Sequence, residues 1–350
     1  MSTTDLPVKP VDRKAGTMSI RAVQWAPIVI LLLALAVVPP LALAMDEPFA
    51  IRILTRIAIF AIVAVSLNIV LGYGGLVSLM HASLFGVGGY VVAILAYHEM
   101  EGDLLFGLFQ GTSDLAISIP VAVAVVALVS AVLGAVSLRT SGSYFIMITL
   151  AFNQMLYFFF VALQQYGGDD GLQILSSMHF VSLEIGGRVL FFYICLAILA
   201  VVLVLAAVLA ESRFGMLLRA MAQNERRVVA LGASPLRYKV VAFMLSGAIT
   251  GLAGTLWATS QNFISPADMS WVRSADFVVM IVLGGMTTAW GALAGAVMFL
   301  LLEAVLSAWT TYWQLVFGIL IIGSAMTLRG GLSDLWPALL GRTKFNRERH

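Results

Sequence analysis

The sequence predicts an all-α, polytopic helical transmembrane protein of about ten spans, with both termini in the cytoplasm. Three observations predict it. Of 350 residues, 61% are hydrophobic and 11% are charged, whereas a soluble domain carries about 25% charged residues. The mean hydropathy is +1.00. Apolar runs of spanning length also follow one another along the chain. In lipid such runs must satisfy their own backbone polar groups, as helices do.

Residues 1–20 are polar and basic and read as a disordered cytoplasmic tail. The run at 25–45 is too long for a signal-peptide core and has no clear small-residue cleavage site, so it reads as a retained first span. Further spans are expected at 51–71, 76–98, 115–137, 143–163, 188–210 and 240–260. Charge parity divides residues 275–328. The basic ending RTKFNRERH belongs inside, which needs an odd number of further crossings. Three fit, at 276–287, 291–308 and 311–328. The break falls at Gly284-Gly285 through Gly291, where helix propensity is poor, and the first of the three is short for a full span. The transmembrane body is therefore 21–330, and 331–350 is a basic cytoplasmic tail. This arrangement puts sixteen of the 20 Lys and Arg on the side of the N-terminus, and that bias sets the cytoplasmic face. The single cysteine, Cys195, lies in an apolar run; it makes no intrachain disulfide and reads as core filler.

Residues 211–239, ESRFGMLLRAMAQNERRVVALGASPLRYK, form the longest polar interruption. They hold Arg213, Arg219, Arg226, Arg227, Arg237 and Lys239 against Glu211 and Glu225. Asn224 can cap a short helix. Gly232 can close it in the left-handed conformation, and Pro235 stops it from restarting at once. Two readings stand: a folded helix on which something docks, or an ordinary positive-inside loop.

A second stretch, residues 66–90, carries Gly72, Gly74 and Gly75 around Tyr73, with Asn68 in the preceding span. Irregular backbone at membrane depth is tolerated where it is buried or lines a watery cavity. The stretch reads either as a translocation path or as tight packing, since Gly86, Gly88 and Gly89 also suit close helix contact. His81, between Ser78 and Ser83, reads as a hydrogen-bonded core residue, and no metal-ligand spacing surrounds it. Glu303 is the acid placed within a span. It is open to a proton-coupling role, or to a place near a helix end or beside a partner. Asn153 and Gln154 read as helix bridges, and Gly247/Gly251 and Gly291/Gly295 as packing pairs. No Gly-Lys dipeptide occurs, which excludes the P-loop, and no H-E-x-x-H occurs either.

LNIVLGYGGLVSLMHASLFGVGGY resembles the signature of permeases from ABC importers for branched-chain amino acids. RFGMLLRAMAQNERRVVALGASPLRYKVVAFMLSGAITGLAGTLWA is similar to that family's second signature. MIVLGGMTTAWGALAGA at 280–296 resembles its third, and the ending TLRGGL fits. The resemblance covers about two-thirds of the chain in the expected order. It is closer to the LivM-type subunit than to its LivH-type partner, given the long N-terminal lead and the loop 211–239. Consecutive Arg226-Arg227 depart from the family's more acidic coupling segment, and His81 follows Met80 where the family often has glycine.

The resemblance implies a type II-like ABC importer permease of the bacterial inner membrane, with no catalytic residue and no cofactor of its own. A second related permease would complete the pore. Two separate ATPase subunits would carry ATP and Mg, and a periplasmic binding protein would deliver branched-chain or related amino acids. Asn224, Glu225, Arg226, Arg227, Val228, Leu231 and Gly232 would then form the coupling helix. Val228 and Leu231, three apart on one face, would dock, and the arginines would steer the contact. Asn68, Gly72, Tyr73, Gly74, Gly75 and Ser78 are the candidates for the path. The same architecture could carry urea, amides or another small organic solute. An ion-coupled secondary transporter would need intramembrane ionisable groups or an internal repeat, and only Glu303 offers itself. An intramembrane enzyme would need paired catalytic residues in the spans, and none are apparent.

Overall fold

The structure, a computed structural model, describes residues 26–40, 48–102, 104–105, 109–175, 179–180, 183–184, 187–286, 288–327 and 331–334. The expected tails at 1–20 and beyond 334 lie outside them.

Helices dominate. They are α1 (Ala26–Pro40), α2 (Pro48–Asn68), α3 (His81–Glu101), α4 (Leu115–Ser137), α5 (Ser143–Ala162), α6 (Arg188–Glu211), α7 (Arg213–Ala230), α8 (Pro235–Gln261), α9 (Trp271–Gly284), α10 (Ala289–Trp309) and α11 (Trp313–Thr327). Helix α2 runs on through one wide turn, Ile69–Tyr73. Among the described residues, 7 helices are long and apolar enough to cross a membrane: α2 to α6, α8 and α10. Helices α1, α9 and α11 fall at the other three expected places and cover fewer of the described residues. At 1.5 Å per residue, the 14 residues of α9 reach about 21 Å, against a hydrocarbon core of about 30 Å. The cause is local. Ser270 caps α9 by accepting from the Arg273 N–H, so the helix begins at Trp271, five residues before the expected start, and Gly285 ends it at φ 107°.

Helix α2 is the axle of the bundle. Every residue from Ile57 to Val70 is at most 1% exposed, as befits a helix that is apolar all round. Helices α6, α8, α9 and α10 wrap it, and α3, α4 and α8 pack against one another. Small residues permit these approaches. A Cβ on Gly88 would overlap the Gly251 backbone, and one on Gly251 would overlap Val126. Phe60, Phe85, Trp257 and Phe277 fill the seam, with centroids 5.3 Å apart for Phe60 and Trp257 and 5.7 Å for Phe60 and Phe277. Helices α4 and α5 form the rim. Leu128 and Phe158 are 67% and 60% exposed there, a surface suited to lipid.

Polar side chains tie the helices together. Ser246 Oγ donates to the Ser66 carbonyl at 2.7 Å. Having spent its one proton there, it must accept from His81 Nε2, 2.9 Å away. His81 Nδ1 is then the acceptor for Ser78 Oγ at 3.2 Å. His81 is thus a buried bridge between α3 and α8. Asn153 bridges α5 to α3 and to the turn before α9: its Oδ1 accepts from Ser83 Oγ at 2.6 Å, and its Nδ2 donates to the Met269 carbonyl at 2.9 Å.

Chain direction defines two ends. The starts of α2 and α9 and the finishes of α8 and α10 share one end. There the short strand Leu172–Gln173 pairs antiparallel with Phe263–Ile264. The other end holds α7, the glycine break after α2 and the α9–α10 connection. Residues Gly331–Asp334 form a helical turn against α9 and α10. Gly331, at φ 71°, sits close against Gly285.

Candidate functional site

Helix α7 is two helices in series. The first starts at Ser212, whose Oγ accepts from the Gly215 N–H at 3.2 Å. Asn224 interrupts it with extended backbone, φ −157° and ψ 96°. The Asn224 Oδ1 accepts from the Arg227 N–H at 3.2 Å and so begins a new helix at Glu225. That helix stops at Gly232, φ 86°. The Gly232 N–H donates to the Val229 carbonyl at 2.9 Å and the Ala233 N–H to the Val228 carbonyl at 3.4 Å, the two bonds of a Schellman stop. Pro235 then opens α8. Lys239 Nζ meets Glu225 Oε2 at 2.7 Å and ties the short helix to α8.

The capped helix is exposed on most sides. Asn224, Glu225, Arg226, Arg227 and Gly232 are all exposed, and Leu231 is 86% exposed. Val228 is different. It is buried within the chain, where it anchors the helix. The exposed apolar neighbour of Leu231 is Val229, which spacing three apart from Leu231 does not select.

The first half of α7 presses on the glycine break. Arg219 donates through Nη2 to the Ala210 carbonyl at the end of α6, and its guanidinium lies 4.9 Å from the centroid of the Tyr73 ring. Gly74 and Gly75 pass beside Leu218 and Ala222, and Gly75 adopts φ +64°. The Gly75 N–H donates to the Leu71 carbonyl and the Leu76 N–H to the Val70 carbonyl, each at 3.1 Å. One turn back, a Cβ on Gly72 would overlap both Asn68 Oδ1 and the Met286 carbonyl. Asn68 Nδ2 donates to the Thr288 carbonyl at 3.3 Å. The first half of α7, the glycine break and the α9–α10 connection are therefore one contiguous assembly.

Asn68, Tyr73 and Ser78 are buried in the chain's own packing. Gly72 and Gly74 serve close backbone approach, and Gly75, which is exposed, makes a left-handed turn. Residue spacing also missed Arg219. Its one signal was membership of the basic segment. Glu303 is paired: Arg56 Nη2 lies 2.8 Å from its Oε1.

The family described as "Branched-chain amino acid transport system / permease component" matches residues 49–325. The high-affinity branched-chain amino acid transport system permease protein LivM of Escherichia coli (strain K12) is 28% identical over 312 residues, 81% of this chain and 70% of that protein. The LivM protein of Salmonella typhimurium is 28% identical over 298 residues, 78% of this chain and 67% of its own. A probable branched-chain amino acid transport permease protein LivM of Methanocaldococcus jannaschii is 26% identical over 290 residues, 76% of this chain and 84% of its own. No solved structure matches.

Proposed function

This chain belongs to the permease-component family of branched-chain amino acid transport systems, and from that membership we propose how it works. It is a multi-pass component of a transport system, the permease subunit of an ABC importer for branched-chain amino acids. The energy comes from elsewhere: two ATPase subunits hold ATP and Mg and dock on the short helix that starts at Glu225. A second permease completes the pore in the bacterial inner membrane, and a periplasmic binding protein delivers the cargo. This chain contributes no cofactor. The N- and C-termini and α7 face the cytoplasm, as the Lys and Arg bias argues.

One observation carries the docking reading. The Asn224-capped, Gly232-stopped helix is held rigidly yet presents Leu231 and Val229 to the outside. A preformed helix lowers the ordering cost of binding. Contact energy delivered there reaches the transmembrane body through Arg219, Tyr73 and the glycine break. The test is reconstitution of the complete transporter in liposomes. ATP enclosed with the ATPase subunits is expected to drive leucine uptake. Uptake driven by an ion gradient without ATP would overturn the reading.

A further inference from the structure

Five ionisable side chains gather at the end of the bundle opposite α7. Arg56 comes from α2, Asp268 from the turn before α9, Arg273 and Asp276 from α9, and Glu303 from α10. Arg56 holds Glu303 at 2.8 Å, while Arg273 Nη2 lies 3.6 Å from Asp268, a long contact for an ion pair. Both guanidiniums stand over the ring of buried Phe60, 5.3 and 5.5 Å from its centroid. One fixed aromatic ring thus sets the place of both cations.

The internal pairs leave valences unmet. Asp276 lies within electrostatic range of Arg56, Arg273 and Glu303. Among the described residues its carboxylate nevertheless has no hydrogen-bond or ion-pair partner. Arg56 Nε is buried without a partner. Arg273 and Asp276 stand three apart, on one face of α9. Charges at this depth face protein or a watery cavity, since lipid does not solvate them. What remains unmatched is one carboxylate beside guanidinium donors. An α-amino acid head group has the complementary pattern: an ammonium for the carboxylate and a carboxylate for the guanidiniums.

Resting on the amino-acid reading above, we propose that Asp276, Arg273 and Arg56 form a site for the zwitterionic head group of the transported amino acid, at the end of the bundle away from the ATPase-docking helix. Asp276 receives the ammonium, and Arg273 with Arg56 receives the carboxylate. Glu303 and Asp268 hold the two arginines in place between passages of cargo. The site asks only for a free α-amino acid head group; apolar selection belongs elsewhere.

Two measurements on the complete reconstituted transporter test it. The first is ATP-driven uptake of radiolabelled leucine by wild type and Asp276→Asn. Uptake is expected to fall at least about tenfold, the loss of one charge-assisted contact of about 1.4 kcal/mol or more, while the subunits still co-purify. Asp276→Glu is expected to restore part of it. The second is photo-crosslinking of the wild-type complex with a diazirine analogue of leucine, which is expected to label residues 271–284. Uptake by Asp276→Asn within twofold of wild type overturns the site, and so does labelling confined to other segments. If Asp276→Asn does not assemble, the labelling of wild type decides. Absence of leucine uptake by wild type overturns the amino-acid reading itself and this inference with it.

Discussion

Arg56 and Glu303 stand 247 positions apart in sequence and meet through two hydrogen bonds, with Arg56 Nη2 2.8 and 2.9 Å from the two carboxylate oxygens. The acid within α10 is thereby the counter-ion of α2. It is committed to a partner, which weakens its candidacy as a proton carrier.

Uptake is therefore expected to follow ATP and not the proton gradient. A protonophore added to liposomes that contain ATP should change leucine uptake by less than about twofold. Glu303→Gln should lower the thermal stability of the purified permease by about 1–2 kcal/mol, between the exposed and buried limits for ion pairs. Adding Arg56→Gln should recover part of that loss, because the guanidinium would no longer be left alone. A double-mutant cycle by thermal unfolding in detergent measures both.

Val228 and Leu231 separate anchoring from docking. Leu231→Asp touches a side chain that is 86% exposed; its stability cost should stay within about 0.5 kcal/mol. Co-purification of the ATPase subunits should nevertheless be lost. Val228→Asp buries a charge and should cost about 3 kcal/mol or more in the permease alone. If both variants keep their ATPases, the short helix is not the contact.

Asn224 and Gly232 define that helix at its two ends. Asn224→Ala and Gly232→Ala should each cost about 1 kcal/mol locally. Hydrogen exchange over residues 225–231 should then speed up about fivefold per variant. Exchange elsewhere should stay put.

Gly72 and Gly102 offer a contrast in cause. Gly72→Ala places a carbon against Asn68 and the Met286 carbonyl and should cost more than about 2 kcal/mol. Gly102 has φ +72° but open space around it, so Gly102→Ala should cost only about 1 kcal/mol of backbone strain. Yields of folded, monodisperse protein in detergent would rank the two.

His81 should carry its proton on Nε2, because the Ser246 hydroxyl proton is already committed to the Ser66 carbonyl. Nitrogen NMR of the ring reports the tautomer directly. A proton on Nδ1 would require Ser246 to turn away from α2.

The sequence made some of this readable and hid the rest, for physical reasons. The caps at Asn224 and Gly232 were legible because capping is local: one side chain and one backbone angle decide it. The core role of His81 was legible because a lone imidazole between apolar neighbours needs nearby hydroxyls. The burial of Val228 was not, since a face of a two-turn helix is chosen by what packs beneath it. The pairing of Arg56 with Glu303 was hidden for the same reason, as were the cluster on α9 and the hold of Arg219 on Tyr73. Each joins residues that only the fold brings together. The span expected at 276–287 came out as Trp271–Gly284, shifted towards the N-terminus, because hydropathy marks where a segment is apolar and not where its caps fall.

The wrapping of α2 has a consequence for biosynthesis. This helix leaves the ribosome early, yet α6, α8, α9 and α10, which enclose it, are made later. Until they arrive, lipid must stand where they will stand, and Ser66 and Asn68 must wait in hydrocarbon for Thr250 and Thr288. The central rod is threaded first and sheathed last, so a nascent chain cut short before α8 would hold its most hidden helix on its outside.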